Sequence, residues 1–377
     1  MEGIVGVTHR MIRVAARRRL ARLARAVAGA GIACSMAAAA AQPAAGGAAD
    51  RVRPSAPPAA EVSAIEAQSR ALERASEAVV GLRARAVDGA RSAATLGTER
   101  TGSGVVIGPD DLVLTIGYLV LEADTVDLMP DDGRRVPARV VAYDLATGFG
   151  LVQALAPLRL QPVPIGQSGA ITRDEPLVFI SGSQPGGAGA VSPAQLLSRR
   201  DFAGFWEYHL EGALFVGPGR PDHSGASLFN GRGELLGVGS LFVRNALGND
   251  ASAVPGNMFV PIDLLAPILA ELRERGASAA SARAWLGING VERDGEVRVA
   301  RVTDDSPADV AGLQAGDRIL RIDGVAVDGL AQLWKQLWAG GAPERAVTLE
   351  IQRDGVTRSL MVQTVDRAKT LRRAQGI

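Results

Sequence analysis

The stretch that decides the fold is Ser306-Pro307-Ala308-Asp309-Val310-Ala311-Gly312-Leu313-Gln314-Ala315-Gly316-Asp317-Arg318-Ile319-Leu320-Arg321-Ile322-Asp323-Gly324. Ser306-Pro307 opens a short helix, with proline near the first turn where its missing N–H costs nothing. Gly312 ends that helix. Gly316-Asp317 turns the chain into an apolar strand, Ile319–Ile322, and Asp323-Gly324 turns it out again. Around it lies a unit of about 80 residues, Trp285 to Asp366, of strands, two short helical patterns and Gly-Asp turns. Upstream of Ser306 is Trp285-Leu286-Gly287-Ile288, and downstream is a helical run, Gln332–Trp338. Trp334 and Trp338, at helical spacing, read as core.

This order of motifs resembles a PDZ domain in the circularly permuted bacterial arrangement. The resemblance implies that Leu286, Gly287 and Ile288 form a carboxylate-binding loop. Successive backbone N–H groups there capture a peptide C-terminus, and the peptide adds to the sheet as a strand. Gln332–Trp338 would line the other side of the groove. The plainer reading is a set of ordinary turns in a small β domain.

Ahead of this unit, short apolar runs alternate with Gly, Asp and Pro: Gly104–Ile107, Leu112–Ile116, Val136–Val141, Leu151–Leu155, Leu177–Ile180, Leu235–Val243 and Phe259–Ile262. Many short strands with turn signals between them predict an all-β barrel or sandwich. Leu264–Arg275 reads as an amphipathic helix stopped by Gly276, and Ala277–Ala282 as an interdomain linker. Glu61 to about Glu77 has helical composition.

The motifs of this first unit resemble, in order, the HtrA/Deg family of bacterial envelope serine proteases. They are Thr101-Gly102-Ser103-Gly104-Val105-Val106-Ile107, Val136-Pro137-Ala138-Arg139-Val140-Val141 with Asp144, Leu235-Leu236-Gly237-Val238-Gly239, and Phe259-Val260-Pro261-Ile262. The resemblance covers about residues 75–366. It implies a mainly β chain: a trypsin-like double β-barrel with the active site between the barrels, followed by an α+β PDZ domain. The division read from the sequence is a signal peptide or N-terminal anchor over 1–41, linker and helix over 42–75, the trypsin-like domain over 76–276, the PDZ domain over 283–367 and a tail over 368–377.

The family's catalytic residues do not all carry over. Its nucleophile falls at Ser224, within Asp222-His223-Ser224-Gly225-Ala226-Ser227. Its base, in a Thr-Asn-Ala-His-Val block, falls at Tyr118 in Thr115-Ile116-Gly117-Tyr118-Leu119-Val120. Its acid falls at Gly148 in Thr147-Gly148-Phe149-Gly150. A phenol of pKa about 10 keeps its proton at neutral pH and accepts another poorly, and glycine offers no carboxylate. Asp222 replaces a glycine whose N–H the family uses toward the oxyanion, so it predicts a distorted or repelling hole. His223 is the candidate substitute base, with a surface-loop histidine as the plainer reading. His209 reads as a packed structural histidine. Glu207 and Glu211 read as spare carboxylates or as a solvated strand face.

Composition bounds the rest. One cysteine, Cys34, rules out an internal disulfide framework. Three dispersed histidines disfavour a metal site, and no nucleotide or flavin motif stands out, so no cofactor is expected. Seven of the 41 basic residues but only one of the 40 acidic ones lie in residues 1–41. Basic residues, an alanine-rich run over 26–41 and small residues before Gln42 read as a secretory signal, or alternatively as a membrane anchor. Without that segment the chain carries 34 basic and 39 acidic residues, net −5, which disfavours nucleic acid as a partner. Three functions remain open. The first is a pseudoprotease that binds peptide C-termini or unfolded polypeptides in the periplasm. The second is an active serine endopeptidase with an unconventional base. The third is a regulatory subunit that pairs with an active homologue; the family resemblance implies trimers and larger cages, and for this chain by itself a homotrimer.

Overall fold

The computed structural model describes residues 59–183, 189–248 and 253–372. The signal or anchor predicted over 1–41, the linker to residue 58 and the last five residues lie outside them. Among the described residues no helix is long and apolar enough to cross a membrane.

Helix α1 (Ala59–Glu77) leads into the first barrel. That barrel contains β1 (Val79–Ala86), β2 (Glu99–Val106), β3 (Leu112–Ile116), β4 (Ala123–Met129), β5 (Val136–Tyr143) and β6 (Phe149–Ala154), with a short helix α2 (Ala93–Leu96) after β1. The strands close in the order β1-β2-β3-β6-β5-β4. A second barrel follows from β7 (Leu177–Ser181), β8 (Ala190–Gly204), β9 (Tyr208–Gly217), β10 (Ser227–Phe229), β11 (Leu235–Val243) and β12 (Gly256–Pro261), closed as β10-β11-β12-β9-β8-β7. Closure leaves neither sheet an open edge. One continuous core runs from Leu72 and Ala75 of α1 through Leu82, Leu114 and Phe149 to Phe215, Val238 and Val260.

Helix α3 (Leu269–Arg275) is shorter than the sequence predicts, because a 3-10 turn at Ile262–Leu264 precedes it. Pro267 disfavours helical backbone at Ala266, so the regular helix starts only beyond the proline. Gly276 ends it in the left-handed region, φ 80°. The segment read as a linker is docked rather than loose. Ser278 N–H (3.1 Å), Ser278 Oγ (2.6 Å) and Ser281 Oγ all donate to the buried Asp144 carboxylate.

The third unit has β13 (Ala284–Trp285) paired with β20 (Val365–Asp366), and a sheet of β14 (Ile288–Arg293), β15 (Glu296–Val302), β16 (Arg318–Ile322), β18 (Ala346–Arg353) and β19 (Val356–Gln363), with β17 (Val325–Ala326) on β16. Helix α4 (Pro307–Val310) is capped by Ser306, whose Oγ accepts from Asp309 N–H. Gly312 and Gly316 take φ of +79° and +97°, which explains the glycines of the deciding stretch. Helix α5 (Leu330–Ala339) packs Leu333, Trp334 and Leu337 into a core with Ile288, Val299, Ile319 and Leu349. β14 is an outer strand of its sheet.

Candidate active site and peptide groove

The nucleophile loop is built onto β2. Ser103 N–H donates to the Ser224 carbonyl at 2.8 Å. A Cβ on Gly102 would sit 2.6 Å from that same oxygen, and one on Gly225 (φ +71°) would sit 2.0 Å from the Ser103 carbonyl. These contacts require glycine at both positions, and they fix where Ser224 stands.

Tyr118 follows β3 on a 3-10 turn, Gly117–Leu119. Its hydroxyl lies 2.8 Å from Ser224 Oγ and 2.7 Å from the Ser240 carbonyl oxygen. The carbonyl can only accept, so it takes the single phenolic proton. The Ser224 hydroxyl then donates to Tyr118 Oη. Burial pushes the Tyr118 phenol up to about 12, with the Ser224 hydrogen bond opposing. At pH 7 about one molecule in 10⁵ would hold a tyrosinate able to take the Ser224 proton.

Gly148 sits at φ +83°, its N–H bonded to the Asp144 carbonyl and its own carbonyl to Gly117 N–H. The neighbouring space holds Tyr208, whose hydroxyl donates to the Thr147 carbonyl at 2.7 Å. A Cβ on Gly117 would lie 2.3 Å from the Tyr143 ring, so aromatic side chains crowd this corner.

His223 Nδ1–H donates to the Arg220 carbonyl at 3.0 Å, and burial pulls its pKa down. His209 is buried on β9, 3.5 Å from an Asp201 oxygen. Among the described residues, no hydrogen bond joins either imidazole to Ser224 Oγ. By its position in the sequence, Asp222 predicts a distorted or repelling oxyanion hole. Its carboxylate instead accepts from Ser181 Oγ (2.6 Å) and from Arg220 Nε (2.9 Å) and Nη2 (3.0 Å). Burial alone would raise this carboxyl, but those donors hold it below the usual carboxylate range.

Leu286 and Gly287, the latter at φ +89°, form the loop that leads into Ile288, the first residue of β14. Their three N–H groups converge on one carboxylate, that of Glu207. The distances are 3.0 Å from Leu286, 2.7 Å from Gly287 and 2.9 Å from Ile288. Glu207, which the sequence leaves as a spare carboxylate or part of a solvated strand face, is 3% exposed, at the tip of the β8–β9 hairpin. Two features are not legible in the sequence as parts of a site: Ser240, which acts through its backbone and so leaves no side-chain signal, and the seating of the hairpin tip against the PDZ unit. The tip did carry a signal, since two aromatics and a glutamate in a three-residue turn are unusual turn chemistry.

The comparisons with known proteins agree with this architecture. Residues 102–238 match the trypsin-like peptidase domain family and residues 284–364 the PDZ domain family. A probable periplasmic serine endoprotease DegP-like of Halomonas elongata is 27% identical over 285 residues, covering 70% of this chain and 56% of its own. The periplasmic serine endoprotease DegP of Escherichia coli K12 is 26% identical over 272 residues, covering 67% of this chain and 54% of its own. The chain thus spans about half the length of the curated relatives it matches. The solved HtrA-type protease AlgW with decapeptide has the same fold, with a TM-score of 0.50 at 20% identity, over 80% of this chain and 98% of that one. A trypsin-like double barrel followed by a PDZ domain, with DegP relatives in sequence and an HtrA-type neighbour in fold, supports placing the chain with the HtrA-family proteases.

Proposed function

We propose that the protein is a proteolytically inactive HtrA-fold module of the periplasm, which binds polypeptide chains through its PDZ groove. In this reading residues 76–276 are a peptidase scaffold without its base or acid, and residues 283–367 are the capture unit. The observation that carries it is the Tyr118–Ser224 hydrogen bond. A serine needs a group that takes its proton and a second that orients the first. Tyr118 occupies the base position with its own proton committed to Ser240, and Gly148 offers nothing to orient it. The periplasm is supported by the names of the relatives and by the leader read over 1–41.

The test is a fluorophosphonate probe on the purified chain at pH 7.5, with an active HtrA protease beside it. Ser224 should remain at background, and casein should stay intact. Stoichiometric labelling that disappears in Ser224→Ala would return the chain to the active endopeptidases.

A further inference from the structure

The tip of the β8–β9 hairpin, Gly204-Phe205-Trp206-Glu207, lies in the groove between β14 and α5. The three amides of the loop hold the Glu207 carboxylate, as they would hold the terminal carboxylate of a peptide. Two residues along the strand, Gly290 N–H donates to the Phe205 carbonyl at 2.8 Å. Ile288 and Gly290 lie two apart on an outer strand, so their N–H groups leave the same edge. The hairpin therefore uses the edge that an added peptide strand would use. From the other wall of the groove, Trp334 Nε1–H on α5 donates to the Gly204 carbonyl at 2.9 Å. Arg367 closes over the turn, donating to the Trp206 and Glu207 carbonyls at 3.2 Å each.

The backbone of Glu207 adds an independent sign. Its φ is +58°, the left-handed conformation that glycine ordinarily supplies in a three-residue hairpin loop. A glutamate persists in such a place only where its surroundings over-determine it, and here its side chain has three donors waiting.

We propose that Glu207 is a built-in mimic of a peptide C-terminus: the hairpin is the resident ligand of the PDZ groove, and an outside chain end enters only by displacing it. This rests on the reading of the PDZ unit as a capture site for chain ends. The external ligand is an extended peptide with a free terminal carboxylate. If the hairpin is seated in about 99% of molecules, such a peptide binds about 100-fold more weakly than to the empty groove. Displacement also reaches the old catalytic cleft. Trp206 stacks on Tyr208 (5.8 Å, 9°), and the Tyr208 hydroxyl is bonded beside Gly148.

The experiment compares the full chain with its Glu207→Gly variant, in which glycine keeps the turn and removes the carboxylate. A labelled pool of decapeptides ending in Val is titrated by fluorescence polarisation, beside the same pool with C-terminal amides. Exchange of the Leu286, Gly287 and Ile288 amides is followed without peptide. The variant should exchange at these amides at least tenfold faster and bind the free-carboxylate pool at least tenfold more tightly. The amidated pool should bind neither protein. Glu207→Gln, which keeps the shape and an acceptor oxygen, should fall between the two and covers the case of a misfolded glycine variant. Equal protection of the three amides in all three proteins, or equal peptide affinity in all three, overturns the proposal. Faster exchange with no measurable binding of the free-carboxylate pool by any of the three proteins upholds the resident hairpin and overturns the capture reading.

Discussion

The hydroxyl of Tyr208 lies 3.1 Å from the point where a Cβ on Gly148 would sit. The position to which the sequence resemblance assigns the acid is thus walled by an aromatic side chain, on a backbone of φ +83°. Writing the missing residues back should not rebuild the triad. Gly148→Asp would incur about 1 kcal/mol of left-handed strain and about 1–3 kcal/mol of crowding. The expected fall in melting temperature is roughly 4–10 °C. The double variant Tyr118→His, Gly148→Asp should cleave casein no faster than the parent, because the new carboxylate has no room to reach residue 118. Efficient cleavage by the double variant would show that the corner opens readily.

Tyr118 makes a prediction with a definite sign. Only its ionised form can accept the Ser224 proton, and that form appears near pH 12. Any serine reactivity should therefore climb about tenfold per pH unit from pH 8 to 11 without levelling off. A plateau reached by pH 7–8, as a histidine base would give, contradicts this. Because the folded phenol is raised above its unfolded value of about 10, its contribution to stability is complete below pH 10. It is lost as the pH rises toward about 12. Tyr118→Phe should cost about 1–2 kcal/mol by leaving the Ser240 carbonyl unpaired. Its background labelling at neutral pH should not change.

Local chemistry made much of this fold legible. The run from Ser306 to Gly324 encodes its own cap and turns, and Gly102 and Gly225 mark the close approach of β2 to the nucleophile loop. The reading that puts Tyr118 at the family's histidine position rests on a six-residue block. What that tyrosine does instead does not show, since its two partners lie 106 and 122 residues along the chain. Glu207 is further from legibility. Its partners are 79 to 81 residues away, in another folding unit, and the contact exists only once the two units dock. Strand β8 is not legible because it lacks the compact apolar runs that reveal β3 or β7. Most of its residues are partly or fully exposed, with only Leu196, Ser198 and Gly204 buried.

Asp144 should control how firmly the PDZ unit is tethered. It accepts from Ser278, Ser281 and Thr147, and although burial alone would raise its carboxyl, these donors hold it below the usual range. Asp144→Ala strands several buried donors, at about 1–3 kcal/mol for each one left unpaired. The expected readout is faster cleavage by added protease within residues 277–283, alongside a lower melting temperature. Since the native pKa is depressed, this tether is intact above the unfolded carboxyl value and weakens as the pH falls through the native one. Linker cleavage that stays unchanged in Asp144→Ala would mean that packing, not this carboxylate, holds the segment.

Asp317 and Arg353 form the corresponding tie inside the PDZ unit. The Asp317 side chain is 1% exposed and that of Arg353 17%, with Nη2 to Oδ2 at 2.6 Å and a second bond, Nε to Oδ1, also at 2.6 Å. Gln314 N–H completes the carboxylate at 2.8 Å. Removing the cation alone leaves a buried charge with fewer donors, so Arg353→Met should cost about 3–5 kcal/mol at neutral pH. Removing both charges, in Asp317→Asn with Arg353→Met, should recover most of that, because the desolvation penalty goes with the charge. Urea unfolding of the four proteins closes the cycle. A double variant as unstable as Arg353→Met would show that Arg353 matters through its bond to the Gly312 carbonyl (2.9 Å) and its packing, rather than through the ion pair.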